Sequence, residues 1–302
     1  MTLEQTLATW ATGPGNAEQE KCANAESVVR SALSRSTVLR PFPLRVFTQG
    51  SYAARTNVRL DSDVDICACR DSSEYFYDLP TIGSQNPGDY GIFPKQISFG
   101  DFKNAVGSAL ADYVGAAGMT RGNKAFDVHA NTYRIDADVV PAFEYRQYTG
   151  FDVSGAPRWE TGIKIFPDYG TAIINWPQQN YGNGVAKNDR TGRRYKRLVR
   201  VLKRMRNAMR DKKVSAAEGV ASFLIECLVW NSPDDVLMRD SYTDALRGLL
   251  VHTFNGTISQ DKCNEWGEVN EIKYLFRDGL QPWTRQQAND FLGAAWEFAG
   301  FK

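Results

Sequence analysis

The 302-residue chain has only two histidines, His129 and His252, which argues against a zinc site. Cysteine is sparse as well. The five, Cys22, Cys67, Cys69, Cys227 and Cys263, are odd in number and form no CxxC, and Cys67 and Cys69 share one face of a strand, so reduced thiols in a cytoplasm are expected. No apolar segment follows a basic start and no long uncharged apolar run occurs, so nothing in the sequence suggests export or membrane spanning. A formal net charge of +1 excludes a globally basic coat for nucleic acid, and any phosphate affinity must come from local patches. There is no internal repeat and no low-complexity tract. What remains, 42% hydrophobic and 24% charged residues, is ordinary for a soluble globular protein with room for one large domain or two lobes.

The chain is organised around Gly50 to Asp65, GSYAARTNVRLDSDVD. Leu44 to Thr48 (LRVFT) are apolar and β-prone, which predicts a strand running into Gly50-Ser51. Glycine lets backbone approach a ligand closely, and the following amides with the Ser51 hydroxyl suit a phosphate. Alternate residues of a strand share a face, so Asp63 and Asp65 project together while Val64 and Ile66 point into the core. Two adjacent carboxylates repel unless a cation lies between them, a need magnesium meets with carboxylate, water and substrate-phosphate oxygens. Asp61 has the same parity and is read as a turn residue.

Before this unit, Leu3 to Thr12 and Asn16 to Ser36 read as helices split by Gly13-Pro14-Gly15, the second with Ala23, Val28, Val29, Ala32 and Leu33 as its apolar face. Asp71 to Tyr90 is rich in Ser, Asp, Pro and Gly and reads as a loop or insertion, either a lid or surface decoration. Phe102 to Ala117 has helical spacing. Ala125 to Ala130 and Thr132 to Val140 read as two strands, the second ending in IDADVVP. Asp136 and Asp138 share parity, so periodicity does not choose between them. Asp138 is taken as the third acid because it stands at the strand's end, where sites collect.

After Glu144 no strand alternation is evident. Helices are predicted near Tyr169 to Gln179, Thr191 to Asp211, Ala216 to Trp230, Ser241 to Phe254 and Thr284 to Gly300, giving an α/β catalytic lobe followed by a helical lobe. Between Lys187 and Lys213 stand thirteen Lys or Arg and two Asp. With few acids for i, i+4 pairing, the helix predicts an uncompensated basic face opposite the apolar stripe Leu198, Val199, Leu202, Met205 and Met209. Such a face attracts nucleoside triphosphates or nucleic acid. Ser222-Phe223, in the apolar stretch GVASFLIECLVW, pairs a hydroxyl with a ring; either also serves as ordinary packing.

From Phe47 to Trp230 this series resembles the DNA polymerase β-type nucleotidyltransferases, and more narrowly the cGAS and DncV-like branch, the bacterial CD-NTases of anti-phage CBASS defence. The stretch INWPQQNYGNGVAKNDRTGRRYKRLVRVLKR is similar to a segment of bacterial members. The resemblance implies an α+β fold: a polymerase β-like nucleotidyltransferase lobe with a mixed sheet over residues 1–160, including an N-terminal spanning helix, and a C-terminal helical lobe over 161–302 for substrate and base recognition. It implies that Asp63, Asp65 and Asp138 hold two magnesium ions (or manganese), that Gly50 and Ser51 hold the triphosphate, and that Lys203 and Ser222 contact the same phosphates. Phe223 stands where animal relatives carry a base-stacking Tyr, keeping the ring without the hydroxyl. Asn175, in INWP, is the candidate for reading a base edge, with a helix cap or packed amide as the plainer role. The zinc insertion of animal cGAS has no counterpart.

The implied reaction is attack of a ribose hydroxyl on an α-phosphate with loss of pyrophosphate, making a cyclic di- or trinucleotide messenger from NTPs, ATP and/or UTP among them. The implied partners are a product-activated effector protein and regulatory proteins encoded nearby. The alternatives are a non-cyclising NMP transferase acting on a small molecule, protein or RNA end, and an inactive nucleotide-binding regulator.

Overall fold

Two helices open the chain, α1 (Leu3–Trp10) and α2 (Asn16–Arg35), separated at Gly13-Pro14-Gly15. The computed structural model describes every residue except 59–62, 72–75, 79–96, 278 and 280, and the backbone alone of 76–78. Most of the segment from Asp71 to Tyr90, expected as a loop or lid, therefore lies outside the described residues. The chain divides into two compact units. One comprises Met1–Pro14, Ala53–Ser62 and Gln179–Lys302; the other comprises Gly15–Tyr52 and Asp63–Gln178. The division thus falls at Gln178 rather than at residue 160, because two further strands carry the sheet past that point, and α1 groups with the helical unit while α2 groups with the sheet.

The sheet unit begins with β1 (Leu44–Thr48), the strand expected, followed by a short helix α3 (Gly50–Ala54) and β2 (Val64–Arg70). Then come β3 (Phe76–Asp78), α4 (Phe99–Val114), β4 (Met119–Arg121), β5 (Phe126–Val128), β6 (Ala137–Phe151), β7 (Pro157–Ile165) and β8 (Ile173–Asn175). The sheet is mixed, in the order β1-β2-β6-β5-β4, with β3 and β7 also pairing β6 and β8 pairing β7. Only β2–β6 and β3–β6 are parallel among the described strands.

Alternation sorts the side chains of β2 and β6 into two faces. Val64, Ile66, Ala68, Ala137 and Val139 meet α2, through Cys22, Ala25, Val29, Ala32 and Leu33, and α4, through Phe102, Val106 and Leu110. Cys22 and Ala25 are buried on α2, whereas Ala23, assigned to the apolar face from the sequence, is exposed. The other face packs Cys67, Cys69, Val140 and Ala142 against Ile163 and Ile165. All five cysteines are buried free thiols. Each fully buried aliphatic side chain contributes about 1.5–3 kcal/mol relative to exposure.

The expectation of no strands after Glu144 is overturned. β6 runs on to Phe151 and turns back as β7, paired from Phe143↔Lys164 to Phe151↔Pro157. The turn is held by the Asp152 carboxylate, which accepts from Ser154 N and Ala156 N, and by Gly155 at φ +83°. Pro141 suggested a strand end. It sits instead where β5 has stopped pairing at Val139 and β7 has not yet begun, so its missing N–H interrupts no ladder on that side. The helix expected from Tyr169 also starts later: β8 intervenes, and α5 (Pro177–Arg190) begins with proline at its first position, where no N–H is needed.

The helical unit adds α6 (Arg194–Asp211), α7 (Ser222–Trp230), α8 (Asp234–Leu237), α9 (Tyr242–Thr257) and α10 (Arg285–Phe298). Ser241 and Thr284 cap α9 and α10 through their hydroxyls. The predicted stripe of α6, Leu198, Val199, Leu202, Met205 and Met209, is fully buried against α7, α9 and α10. Among the described residues no helix is long and apolar enough to cross a membrane.

Candidate active site

Parallel pairing of β2 with β6 sets Asp65 directly beside Asp138, and antiparallel pairing of β5 with β6 sets Asp127 on the far side of Asp138. Three carboxylates thus stand in a row across three strands. Asp127 was not singled out from the sequence, although its parity between buried Phe126 and Val128 carried the signal. Asp63 immediately precedes β2 and is exposed.

The electrostatics follow from that crowding. Burial first, then the charges of Asp138 and Asp63, push the Asp65 carboxyl up to about 7. Asp138 is raised by burial and then by Asp63 and Asp127, and Asp63 by burial and then by Asp136 and Asp127. Asp136, the competing third acid, is committed to the backbone. Its Oδ1 accepts Ala130 N at 2.7 Å and its carbonyl accepts Val64 N at 3.0 Å, closing the segment before β6.

The chain leaves β1 through Gln49, whose N–H donates to Asp65 O at 2.8 Å, and turns at Gly50 with φ +64°. A Cβ at residue 50 would lie 2.2 Å from Asp65 Oδ2, so glycine is required both for the backbone angle and for the close approach to the carboxylate. The expected Gly-Ser turn is the start of α3. Tyr52 on that turn donates its hydroxyl proton to Glu18 of α2 at 3.1 Å, and Ser51 is half-buried.

Among the described residues no three His, Cys, Asp or Glu side chains form a ready metal cage. The donor set is nonetheless all anionic oxygen and self-repelling, which fits a hard divalent cation that completes its shell with water and substrate phosphates.

The remaining sequence candidates separate between the two units. Asn175 ends β8 in the sheet unit rather than in a helical lobe, half-buried, and its side-chain amide has no hydrogen-bond partner among the described residues. Lys203 is buried within the helical unit, 2% exposed, donating to Thr56 O and Oγ1 at 3.2 Å with Glu226 Oε2 at 3.6 Å. Contact with a phosphate would require release of those partners. Ser222 is exposed at the start of α7 and accepts from Arg206 at 3.0 Å. Phe223 meets the Trp283 ring edge-on at 6.2 Å.

Several arginines of the basic helix α6 are tied to backbone carbonyls. Arg194 donates to the carbonyls of Arg239 and Asp240, Arg200 to those of Ala11 and Arg55, Arg204 to those of Thr9 and Trp10, and Arg206 to that of Val220. These carbonyls fix the guanidinium groups without neutralising them; the ion pairs of α6 among the described residues include Lys203 with Glu226 and Arg210 with Glu218.

Residues 182–300 match the model of the cGAS/DncV-like nucleotidyltransferase C-terminal helical domain. A Legionella pneumophila protein, the cyclic dipyrimidine nucleotide synthase CdnE, is 40% identical over 295 residues, covering 98% of this chain and 97% of its own. The chain belongs to the cGAS/DncV-like nucleotidyltransferase family. This CD-NTase shares its fold with the Elizabethkingia meningoseptica CdnE cyclic dinucleotide synthase, solved with GTP and Apcpp (32% identity, TM-score 0.78, 99% of each chain). It is similar also to the Rhodothermus marinus CdnE c-UMP-AMP synthase, solved with Apcpp and Upnpp (26% identity, TM-score 0.81, 98% and 96% of the two chains). The CD-NTase fold is α+β, a mixed-sheet nucleotidyltransferase lobe with a helical C-terminal domain, and the chain is an enzyme of the nucleotidyltransferase class.

Proposed function

We propose that this CD-NTase condenses two nucleoside triphosphates into a cyclic dinucleotide, releasing pyrophosphate, and that pyrimidine nucleotides, UTP foremost, are among its substrates. The observation that carries the reading is the Asp65–Asp138 pair under the Gly50 turn, in a chain similar along nearly its whole length to a cyclic dipyrimidine synthase. Asp63, Asp65 and Asp138 would hold magnesium, with manganese as a substitute. Bound there, the metal would supply charge neutralisation at the phosphates and a more acidic attacking ribose hydroxyl. Gly50 keeps the backbone clear of the Asp65 carboxylate, and Ser51 offers its hydroxyl to a phosphate. Asn175, with an amide uncommitted to other described residues, is the candidate reader of a base edge.

Within a bacterial cytoplasm the product would act as a second messenger on an effector protein in anti-phage defence, with regulatory proteins encoded nearby. The test is incubation with the four NTPs, magnesium or manganese, and phosphatase, followed by mass spectrometry beside Asp65→Asn and Asp138→Asn controls. A phosphatase-resistant product without terminal phosphates, absent from both controls, supports the reading and identifies the bases. A linear adduct on another acceptor would replace it with the NMP-transferase reading.

A further inference from the structure

The row of polar groups does not end at Asp138. Register carries it across four strands: Asp65 of β2 faces Asp138 of β6, Asp138 faces Asp127 of β5, and Asp127 faces Thr120 of β4. Register partners share a face of the sheet, and the alternate residues Phe126 and Val128 are buried in the core behind it, so Asp127 stands on the side of Asp138. Its charge is among those that raise Asp138 and Asp63, which agrees with that placement.

No described residue supplies Asp127 with a donor. Its Oδ1 is buried and has no hydrogen-bond partner, and its Oδ2 lies 3.8 Å from His129 Nε2. That ring is already committed. Nδ1 is 3.1 Å from Ala117 O, a group that only accepts, so Nδ1 carries the proton of the neutral ring, and Nε2 takes the Thr120 hydroxyl at 2.9 Å. A buried carboxylate oxygen left open calls for a donor from outside the chain. A cation between Asp65 and Asp138 does not answer that need: Asp65 and Asp127 are two strand spacings apart, about 9.5 Å at the backbone, whereas two oxygens on one magnesium ion are about 4 Å apart.

We infer that Asp127 accepts a hydrogen bond from the non-attacking hydroxyl of the acceptor ribose, and so helps select which of the two vicinal hydroxyls forms the new linkage. With the attacking hydroxyl at the Asp65–Asp138 pair, its neighbour on the ring is met by the next group along the row. The inference rests on the nucleotidyl-transfer reading with a ribose acceptor and is independent of whether the product closes into a ring.

The test is a cycle between protein and substrate. Wild type and Asp127→Ala are each supplied with the nucleotides that wild type incorporates and with their 2′-deoxy and 3′-deoxy forms, and formation of the first linkage is followed by pyrophosphate release and mass spectrometry. The analogue that still reacts is the one lacking the non-attacking hydroxyl. In wild type that loss should lower kcat/KM about ten- to a hundredfold, the scale of a hydrogen bond to a charged group. In Asp127→Ala the two acceptors should differ less than about threefold, and nuclease digestion of the ribonucleotide product should show linkage through both hydroxyls. Asp127→Asn, whose amide oxygen still accepts, should keep part of the discrimination. Equal discrimination in wild type and Asp127→Ala, or a loss of rate common to every acceptor, overturns the contact; a variant product still linked through one hydroxyl overturns the selection. Discrimination lost in an enzyme whose product is linear sustains the contact and removes the cyclase reading, and a wild type that forms no linkage removes both.

Discussion

Asp65 of β2 and Asp138 of β6 are register partners across a parallel strand pair, and Asp127 of β5 is the partner of Asp138 on its other side. Burial, with crowding along that row, raises the Asp65 carboxyl, and a cation bound as proposed would relieve the repulsion.

Replacing either register partner should separate catalysis from folding. Asp65→Asn or Asp138→Asn should lower product formation on the order of 10³-fold, since each would remove a carboxylate from the cation site. Circular dichroism should show the fold retained. Activity within about tenfold of wild type would remove that residue from the site.

The pH dependence of stability has a definite sign. The Asp65 carboxyl titrates near 7 in the folded chain against 3.8 ordinarily, so its contribution is full below about 4 and is lost as pH rises through about 7. The difference amounts to on the order of 4 kcal/mol. Metal-free wild type should therefore lose melting temperature between about pH 4 and pH 7 relative to Asp65→Asn, and magnesium at about pH 8 should recover it in wild type alone. Parallel melting curves for the two proteins across that range would contradict this account.

Gly50→Ala tests the approach of the turn to the carboxylate. With φ at +64° and a Cβ 2.2 Å from Asp65 Oδ2, the substitution must shift either the turn or the acid. Activity should fall about a hundredfold and stability by about 1–3 kcal/mol. A fully active alanine variant would show that the turn's position is not needed.

The buried Thr56, Lys203 and Glu226 group should behave as one unit. Lys203→Met leaves Glu226, only 5% exposed, with the Thr56 hydroxyl alone at 2.8 Å. Urea unfolding should register a loss of about 3–5 kcal/mol, and adding Glu226→Leu should recover part of it. Additive losses in the double variant would show that the pair is uncoupled.

Asn175→Ala should change which bases enter the product while leaving the melting temperature within about 1 °C, because no described residue bonds the amide. Unchanged base composition in the mass spectrum would free Asn175 of that role.

Much of the candidate site was legible because local patterning reports it. LRVFT reads as a strand, the Val64 and Ile66 parity orients Asp65, and the α6 stripe has helical spacing; all three are present in the structure. The β6–β7 hairpin was missed because β7 alternates weakly and exposes Arg158, Trp159 and Glu160, and because Pro141 resembles a strand end. The late start of the helix after Tyr169 was missed for a different reason: β8 has three residues, too few for periodicity to register.

The sequence by itself determined which residues are acidic, which are glycine and which face of each strand and helix is apolar, because those properties repeat every two or 3.6 residues. It therefore narrowed the candidate chemistry of this chain to Asp63, Asp65 and one of two later acids. Only tertiary structure set Asp138 rather than Asp136 beside Asp65 and added Asp127 to the row, since strand register is a long-range property that parity along one strand does not contain. It also decided what became of the basic helix. Carbonyl oxygens belong to every residue and leave no mark in a sequence, so only the fold could show that Arg194, Arg200, Arg204 and Arg206 are bonded to them.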